Sequence, residues 1–169
     1  VEVFRDLTQT MDDLHRAKVI QAQAMKGNSF RRDNVFCTVH YSPQDLIGGD
    51  FYSVEQLEDG RCVFFLADVM GHGVASALYT MYLRSLWDEH AELLTDPAGF
   101  MKLLNSRLYD LLQKDYAYAT AMLMVLDPKT GEVTYIGAGH PSPLLFRKNG
   151  ELRTLRSEYS PIALEEEVD

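Results

Sequence analysis

The chain begins with a segment in which apolar residues return at the spacing of an α-helix. No Pro or Gly interrupts positions 3–25, and the apolar residues recur at alternating steps of three and four: Phe4, Leu7, Met11 and Leu14. This periodicity predicts an amphipathic helix, whose stripe has the a/d pattern of a short coiled coil. Lys18 and Gln21 interrupt the stripe, so packing within the chain and pairing between two chains are both open. Gly27-Asn28-Ser29 predicts the end of the helix.

Runs typical of β-strands follow the helix. Residues 35–41 are rich in β-branched and aromatic types, which predicts a strand, and the segment 47–54 carries two glycines directly before Asp50. The apolar residues 62–67 predict a strand that is buried on both faces. Asp68 lies where that strand is expected to end.

Two helices are predicted after Asp68. Residues 69–73 form a loop with glycines at its third and fifth positions, and 74–90 has helical periodicity. The expected core face of this helix consists of Ala75, Leu78, Tyr82 and Leu86. Asp96-Pro97 predicts the start of the second helix, which should end near Lys114, because Pro is favoured in a first turn. Its expected core residues are Phe100, Leu103, Leu104, Leu108, Leu111 and Leu112.

The remainder of the chain has the pattern of strands joined by tight turns. The predicted strands are 119–126, 132–138, 143–147 and 151–155. Asn149-Gly150 predicts a hairpin between the last two strands. Hairpins around a helix pair, rather than βαβ units, predict an α+β fold with helices packed on antiparallel sheets.

Length and composition narrow the class of protein. The chain has 169 residues, of which 46% are hydrophobic and 24% charged, and this composition fits one globular domain. Its longest apolar run, 62–67, is far shorter than the roughly 20 residues of a membrane-spanning helix. The first residues lack the features of a signal peptide, so a cytoplasmic protein is expected. Cys37 and Cys62 stand alone and support neither a disulfide framework nor a thiolate zinc site.

The charge of the chain argues against one class of partner. There are 16 basic and 25 acidic residues, for a formal net charge of −9, and the basic residues are scattered except for Arg31-Arg32. Nucleic acid is not expected as a partner, because duplexes are held mainly by clustered Lys and Arg at phosphates. An acidic surface also repels anionic substrates, so an enzyme acting on phosphate would need metal cations at its site.

Asp50 and Asp68 are the candidate metal ligands. Asp50 follows a double glycine, which allows the backbone to approach a neighbour closely, and Asp68 follows an apolar run. Burying an unpaired carboxylate is costly, so Asp68 requires a cation or backbone N–H donors. The competing interpretation is an Asp that caps a helix or turn. Hard oxygen ligands select Mg²⁺ or Mn²⁺, which lower the pKa of a bound water for attack on phosphorus.

Four ordered blocks of the sequence resemble the SpoIIE-like branch of the PPM phosphatases. The first two are G-G-D-F-Y at 48–52 and D-V-M-G-H-G-V-A-S-A-L at 68–78. The third joins A-T-A-M at 119–122 to G-A-G-H-P-S-P at 137–143, and the fourth is S-P-I-A-L at 160–164. The resemblance extends from about residue 35 to the end of the chain.

The resemblance implies a fold, an activity and a set of site residues. The implied fold is a sandwich of two antiparallel sheets flanked by helix pairs, and the implied activity is Mn²⁺- or Mg²⁺-dependent dephosphorylation of phosphoserine or phosphothreonine in partner proteins. By position, Asp68 would bridge two metal ions and the backbone carbonyl of Val69 would bind one of them. Asp50 would hold that same ion directly or through water.

The sequence departs from the family pattern at two points. The family usually has a small residue at the position of Met70. The family pattern also continues with a T-D-G block and a final D-D or D-N block, whose carboxylates complete the second metal site. The sequence up to Asp169 contains neither block. The expectation is a phosphatase domain without its final acidic blocks, which does not turn over substrate by itself.

His72 and His140 are the candidates for a proton donor. The departing serine oxygen must receive a proton, and His titrates nearest to neutral pH. His72, within the D-x-x-G-H-G loop, is the stronger candidate of the two. The competing interpretation for each is a structural His that bonds the backbone of its own turn.

The expected organisation is a helix over 1–28, acting as a linker or regulatory coiled coil, followed by the phosphatase domain over 29–169. A phosphorylated anti-sigma-factor antagonist is the expected substrate, an upstream sensor or receiver domain the expected input, and a homodimer could form through the helix. These expectations come from the resemblance and the short apolar stripe.

Two other functions compete with the phosphatase. The G-G-D-F turn at 48–51 is similar to the G-G-[DE]-E-F turn of diguanylate cyclases, but the missing Glu and the D-x-x-G-H-G loop argue against a cyclase. The second alternative is a phosphatase-like module that binds a phosphoprotein without hydrolysing it, which Met70 and the missing acidic blocks favour.

Overall fold

The protein folds into a small α+β unit in which helices cover one face of an antiparallel sheet. A computed structural model describes residues 2–25, 29–32, 34–43, 45–156 and 159–166. The helices are α1 (Glu2–Ala24), α2 (Val74–Glu89) and α3 (Pro97–Leu112), with 3₁₀ turns at Ala91–Thr95 and Gln113–Asp115. The strands are β1 (Phe30–Arg32), β2 (Val35–Cys37), β3 (Asp50–Gln56), β4 (Cys62–Val69), β5 (Ala119–Leu126), β6 (Val133–Ala138), β7 (Leu144–Phe146) and β8 (Leu152–Thr154).

The central sheet is a four-stranded antiparallel meander in the order β3-β4-β5-β6. β1 pairs with β2 and β7 with β8, each as a separate two-stranded sheet. The predicted α+β fold with antiparallel sheets is therefore confirmed, including the hairpin at Asn149-Gly150. Within the described ranges, the central sheet is covered by one layer of helices.

An aromatic cluster joins the sheet to α2 and α3. The ring of Phe65 on β4 stacks on Trp87 of α2 at 5.4 Å and meets Phe100 of α3 edge-on at 5.7 Å between centroids. Both helices therefore pack on the face of the sheet to which Phe65 points. Aromatic contacts of this kind contribute about 0.5–1.5 kcal/mol each beyond the area they bury.

The second face of β4 is more open than the sequence predicts. Burial alternates along the strand, and Leu66 is 42% exposed while Phe65 and Ala67 are buried. The prediction of a strand buried on both faces is wrong because, among the described residues, the helices cover only one face.

The core faces of α2 and α3 also differ from prediction. Ala75 and Leu78 are exposed, Leu78 by 64%, and the buried residues of α2 are Ser76, Ala77, Thr80, Leu83, Leu86 and Trp87. The predicted stripe was misplaced because two of the residues facing inward are polar. On α3 the predicted core is right except at Leu103, which is half-buried, and Leu111, which is exposed.

α1 is attached to the rest of the protein by its C-terminal end. Gln21 and Ala24 are buried, and the guanidinium of Arg84 on α2 donates to the Ala24 carbonyl. Leu7 and Met11 of the apolar stripe remain 58% and 46% exposed. Leu14 is half-buried, so the described part of the stripe is only partly covered, and pairing with another helix stays a prediction. The predicted stop at Gly27-Asn28 lies outside the described residues.

Two expectations from composition can be compared with the structure. In the described part of the chain, no helix combines the length and apolar character that crossing a membrane requires. Cys37 is half-buried and Cys62 buried, and both are free thiols.

Candidate metal centre

Asp50 and Asp68 lie directly opposite each other at the end of the β3–β4 pair. The Val69 N–H donates to the Gly49 carbonyl at 3.0 Å, which makes the neighbouring Asp50–Asp68 pair one of the non-hydrogen-bonded type. In such pairs the Cβ atoms are only about 4.5–5.5 Å apart and the side chains point to the same face. Here that face is the one opposite α2 and α3, so two carboxylates converge on an open side of the sheet.

Gly49 allows the loop after β4 to approach β3 closely. A Cβ atom at this position would lie 2.6 Å from the carbonyl oxygen of Val69 and 3.2 Å from Cβ of Ser76. Gly71 and Gly73 in the same loop have positive φ angles of 98° and 82°, which L side chains rarely adopt. The glycines thus permit the Val69 carbonyl to lie close to Gly49, the residue before Asp50.

Thr120 and His140 extend the row of polar side chains. Thr120 on β5 is the register partner of Asp68, and its Oγ1 lies 2.9 Å from Nδ1 of His140. His140 follows β6 and is half-buried. The row across the sheet therefore runs from Asp50 through Asp68 and Thr120 to His140.

The charges in this row influence one another. Partial burial and the nearby charge of Asp68 raise the pKa of Asp50, while His140 acts in the opposite direction. Burial lowers the pKa of His140, against the effects of Asp68 and Asp50. The carboxylate pair is thus under mutual repulsion, which a bound cation would relieve.

A cavity of about 550 Å³ adjoins Asp50. It lies between the extended segment 37–42 and the open face of the sheet, and Asp50 and His140 contribute to its wall. The Tyr41 hydroxyl is buried without a hydrogen-bond partner among the described residues, and burial followed by the charge of Asp50 raises its pKa. The predicted strand 35–41 is shorter in the structure and ends at Cys37. The residues that follow it, 38–42, line this cavity.

His72 has a different environment from His140. Its side chain is 90% exposed, and its Nδ1 lies 3.5 Å from a carboxylate oxygen of Asp45. A catalytic role for His72 stays a prediction. His140 is the histidine whose charge is coupled to both carboxylates, and sequence reasoning ranked it lower. The signal that could have found it is the position of its turn, directly after the strand that pairs with β5.

The residues at this site fit a hard divalent cation. They offer two carboxylates and one backbone carbonyl, and oxygen donors are the ligands that Mg²⁺ and Mn²⁺ prefer. In the described part of the chain, no three His, Cys, Asp or Glu side chains converge on one point. This donor set suits Mg²⁺, which commonly binds through one or two carboxylates and keeps several waters.

Comparison with known proteins agrees with the fold. The family model described as "Stage II sporulation protein E (SpoIIE)" matches residues 58–169. The phosphoserine phosphatase RsbP of Bacillus subtilis (strain 168) is 30% identical over 163 residues, covering 95% of this chain. This chain spans only 40% of the length of RsbP.

Solved structures share the architecture. The SiaA-PP2C domain of Pseudomonas aeruginosa superposes with a TM-score of 0.74 at 24% identity, covering 93% of this chain and 64% of that one. RsbX in complex with magnesium superposes with a TM-score of 0.57 at 16% identity, covering 73% of this chain and 58% of that one. At these identities the likeness concerns the fold.

Replacing Asp50 by Asn should stabilise the metal-free protein at neutral pH. Because the pKa of Asp50 is raised on folding, the folded state binds its proton more tightly than the unfolded chain. Stability is therefore lost as the pH rises above the usual Asp value of about 3.9, and a neutral Asn removes this loss. The measurement is urea unfolding at pH 7 without metal.

The same variant should lose stabilisation by Mn²⁺. Wild-type protein should gain about 2.7 kcal/mol at a free metal concentration of one hundred times Kd. The matched control is Asp110→Asn, which removes an exposed carboxylate on α3 and should respond to Mn²⁺ like wild type. An equal Mn²⁺ response in Asp50→Asn and wild type would contradict the assignment of Asp50.

Proposed function

The chain belongs to the SpoIIE family of PPM-type phosphatase domains, and on that premise we propose that it hydrolyses phosphoserine or phosphothreonine in a partner signalling protein. The observation that carries the proposal is the directly opposed pair Asp50 and Asp68. The pair lies on the open face of the sheet, and Asp50 lines a cavity on that face through which a phosphoryl group can approach.

Each residue of the site has a defined task in this proposal. Asp68 would hold the metal ions, and the Val69 carbonyl and Asp50 would bind one of them, Asp50 directly or through water. Mn²⁺ or Mg²⁺ held by these residues would lower the pKa of a bound water and polarise a phosphoryl oxygen. The magnesium bound by RsbX, a protein of the same fold, supports this choice of metal.

The protein partner is proposed from the relatives and from charge. RsbP is named a phosphoserine phosphatase, and an anti-sigma-factor antagonist carrying phosphoserine is the proposed substrate class. The net charge of −9 disfavours the approach of a phosphorylated protein, and cations at Asp50 and Asp68 reverse the sign of the local field. The proposed reaction therefore depends on metal for binding as well as for chemistry.

A second function is a phosphatase-like module that binds a phosphoprotein without hydrolysing it. It is favoured by the small donor set, because the described residues bring only two carboxylates to the site. Met70, 43% exposed in the loop after Asp68, occupies a position where the family usually has a small residue.

Asp68→Asn should abolish nearly all manganese-dependent hydrolysis of a phosphoserine protein by the protein in its full natural length. The carboxylate bridges the metal ions in this proposal, and its amide replacement is a much poorer ligand for a hard cation. The measurement is initial-rate phosphate release with and without Mn²⁺, alongside an unfolding curve that shows the fold is retained.

The control for this variant is Asp110→Asn, which should keep wild-type turnover. Near-normal turnover in Asp68→Asn would refute the role of Asp68. A wild-type protein that binds the phosphoprotein but releases no phosphate would favour the binding module.

We further propose that α1 transmits a signal to the metal site from a preceding sensor or receiver domain. The buried amide of Gln21 donates to the Gly48 carbonyl at 2.7 Å and accepts from the Gly48 N–H at 3.0 Å. The same amide donates to Thr80 of α2 at 2.9 Å. Because Gly48 lies two residues before Asp50, a displacement of α1 would reach the start of β3.

Replacing Leu7 and Leu14 together by Lys should uncouple regulation and leave basal hydrolysis intact. Leu7 is exposed, Leu14 is half-buried and neither belongs to the hydrophobic core, so the change disrupts pairing with another helix without opening the core. The measurement compares phosphate release with and without the activating input. The control is Gln9→Lys with Gln23→Lys, which adds the same charge at other exposed positions of α1. An unchanged regulated response in the Leu7 and Leu14 variant would count against a signalling role.

A further inference from the structure

The backbone directly before His140 is tightly fixed. Gly139 has a φ of 64°, and a Cβ there would lie 2.6 Å from Cγ of Pro161. The Gly139 N–H donates to the Tyr159 carbonyl at 2.9 Å, and Gly139 also forms a β-bridge with Ala121 on β5. The Cα atom of His140 is therefore held in a fixed position at the end of the row of polar side chains.

One ring nitrogen of His140 has a partner and the other is available. Thr120 occupies Nδ1 with its hydroxyl at 2.9 Å, and the described residues provide no hydrogen-bond partner for Nε2. The imidazole is half-buried and lines the same cavity as Asp50. A neutral imidazole whose Nδ1 accepts from Thr120 carries its proton on Nε2, where it is a hydrogen-bond donor.

We propose that His140, oriented by Thr120, donates a hydrogen bond from Nε2 to a non-bridging oxygen of the phosphoryl group bound at Asp50 and Asp68. This inference rests on the proposed function and adds a residue to it. Thr120 is a positioning residue in this arrangement, because it acts only through the imidazole. No proton is transferred, so His140 acts by binding and orienting the phosphoryl group.

The chemistry of the row supports a phosphoryl oxygen as the acceptor. The charges of Asp50 and Asp68 would be balanced by the bound cations. A phosphoryl group bound there still has several negative oxygens, which are strong hydrogen-bond acceptors. A donor held in place before the ligand arrives costs little to organise when the ligand binds. Thr120 and the Gly139 backbone provide that organisation for His140.

The test measures binding of inorganic phosphate to the Mn²⁺-loaded protein, in its full natural length, by titration calorimetry. His140→Ala should weaken phosphate binding about ten- to a hundredfold, the usual effect of losing a hydrogen bond to a charged group. His140→Gln should recover most of this loss, because its amide can donate from near the Nε2 position. Mn²⁺ affinity should change less than about threefold in both variants.

Thr120 supplies a matched pair of variants. Thr120→Val removes the hydroxyl at nearly constant volume and should weaken phosphate binding in the same direction as His140→Ala. Thr120→Ser keeps the hydroxyl and should bind phosphate like wild type. ¹⁵N NMR of the imidazole should show the proton on Nε2 in wild type and in Thr120→Ser.

Two outcomes separate this inference from the proposed reaction. Wild-type phosphate affinity in folded His140→Ala, or no phosphate binding by the Mn²⁺-loaded wild type, overturns the role of His140 whether or not hydrolysis is observed. Weakened phosphate binding in His140→Ala and Thr120→Val supports it even in a protein that does not hydrolyse phosphoserine, because only the proposed reaction then fails.

Discussion

The repulsion between Asp50 and Asp68 is the constraint from which the rest of the site follows. Like charges directly opposite on neighbouring strands destabilise a sheet, and here they occupy the closer type of pair. The seven-residue register between β3 and β4, together with the aromatic cluster around Phe65, holds them there. A pair held in place against its own repulsion is well suited to bind a cation, and the proposed function assigns phosphoester hydrolysis to that cation.

The surroundings of the pair are built from backbone as much as from side chains. Gly49 lets the Val69 carbonyl approach, and the amide of Gln21 bonds both polar groups of Gly48. On the other side of the row, Thr120 orients His140. The helix that carries Gln21 and the turn that carries His140 thus reach the two ends of the same row.

Local pattern predicted most of the elements but not the way they meet. Strand and helix bounds for β5, β6, α2 and α3 followed from periodicity and turn residues, and the family blocks pointed to Asp50, Asp68 and Val69. The inward face of α2 was missed because Ser76 and Thr80 are polar yet buried, facing Gly49 and Gln21 across long sequence separations. The place of His140 beside Thr120 also depends on the pairing of β5 with β6, so the order of the strands, and not the residues around His140, is the signal that could have indicated it.

The central claim is that the two carboxylates share a divalent ion, and anomalous diffraction from crystals grown with Mn²⁺ tests it most directly. The account predicts an anomalous peak between the carboxylates of Asp50 and Asp68, within about 2.0–2.6 Å of their oxygens, the range seen for Mg²⁺ and Ca²⁺ with oxygen ligands. Well-ordered Asp50 and Asp68 side chains with no peak between them at saturating Mn²⁺ would contradict it.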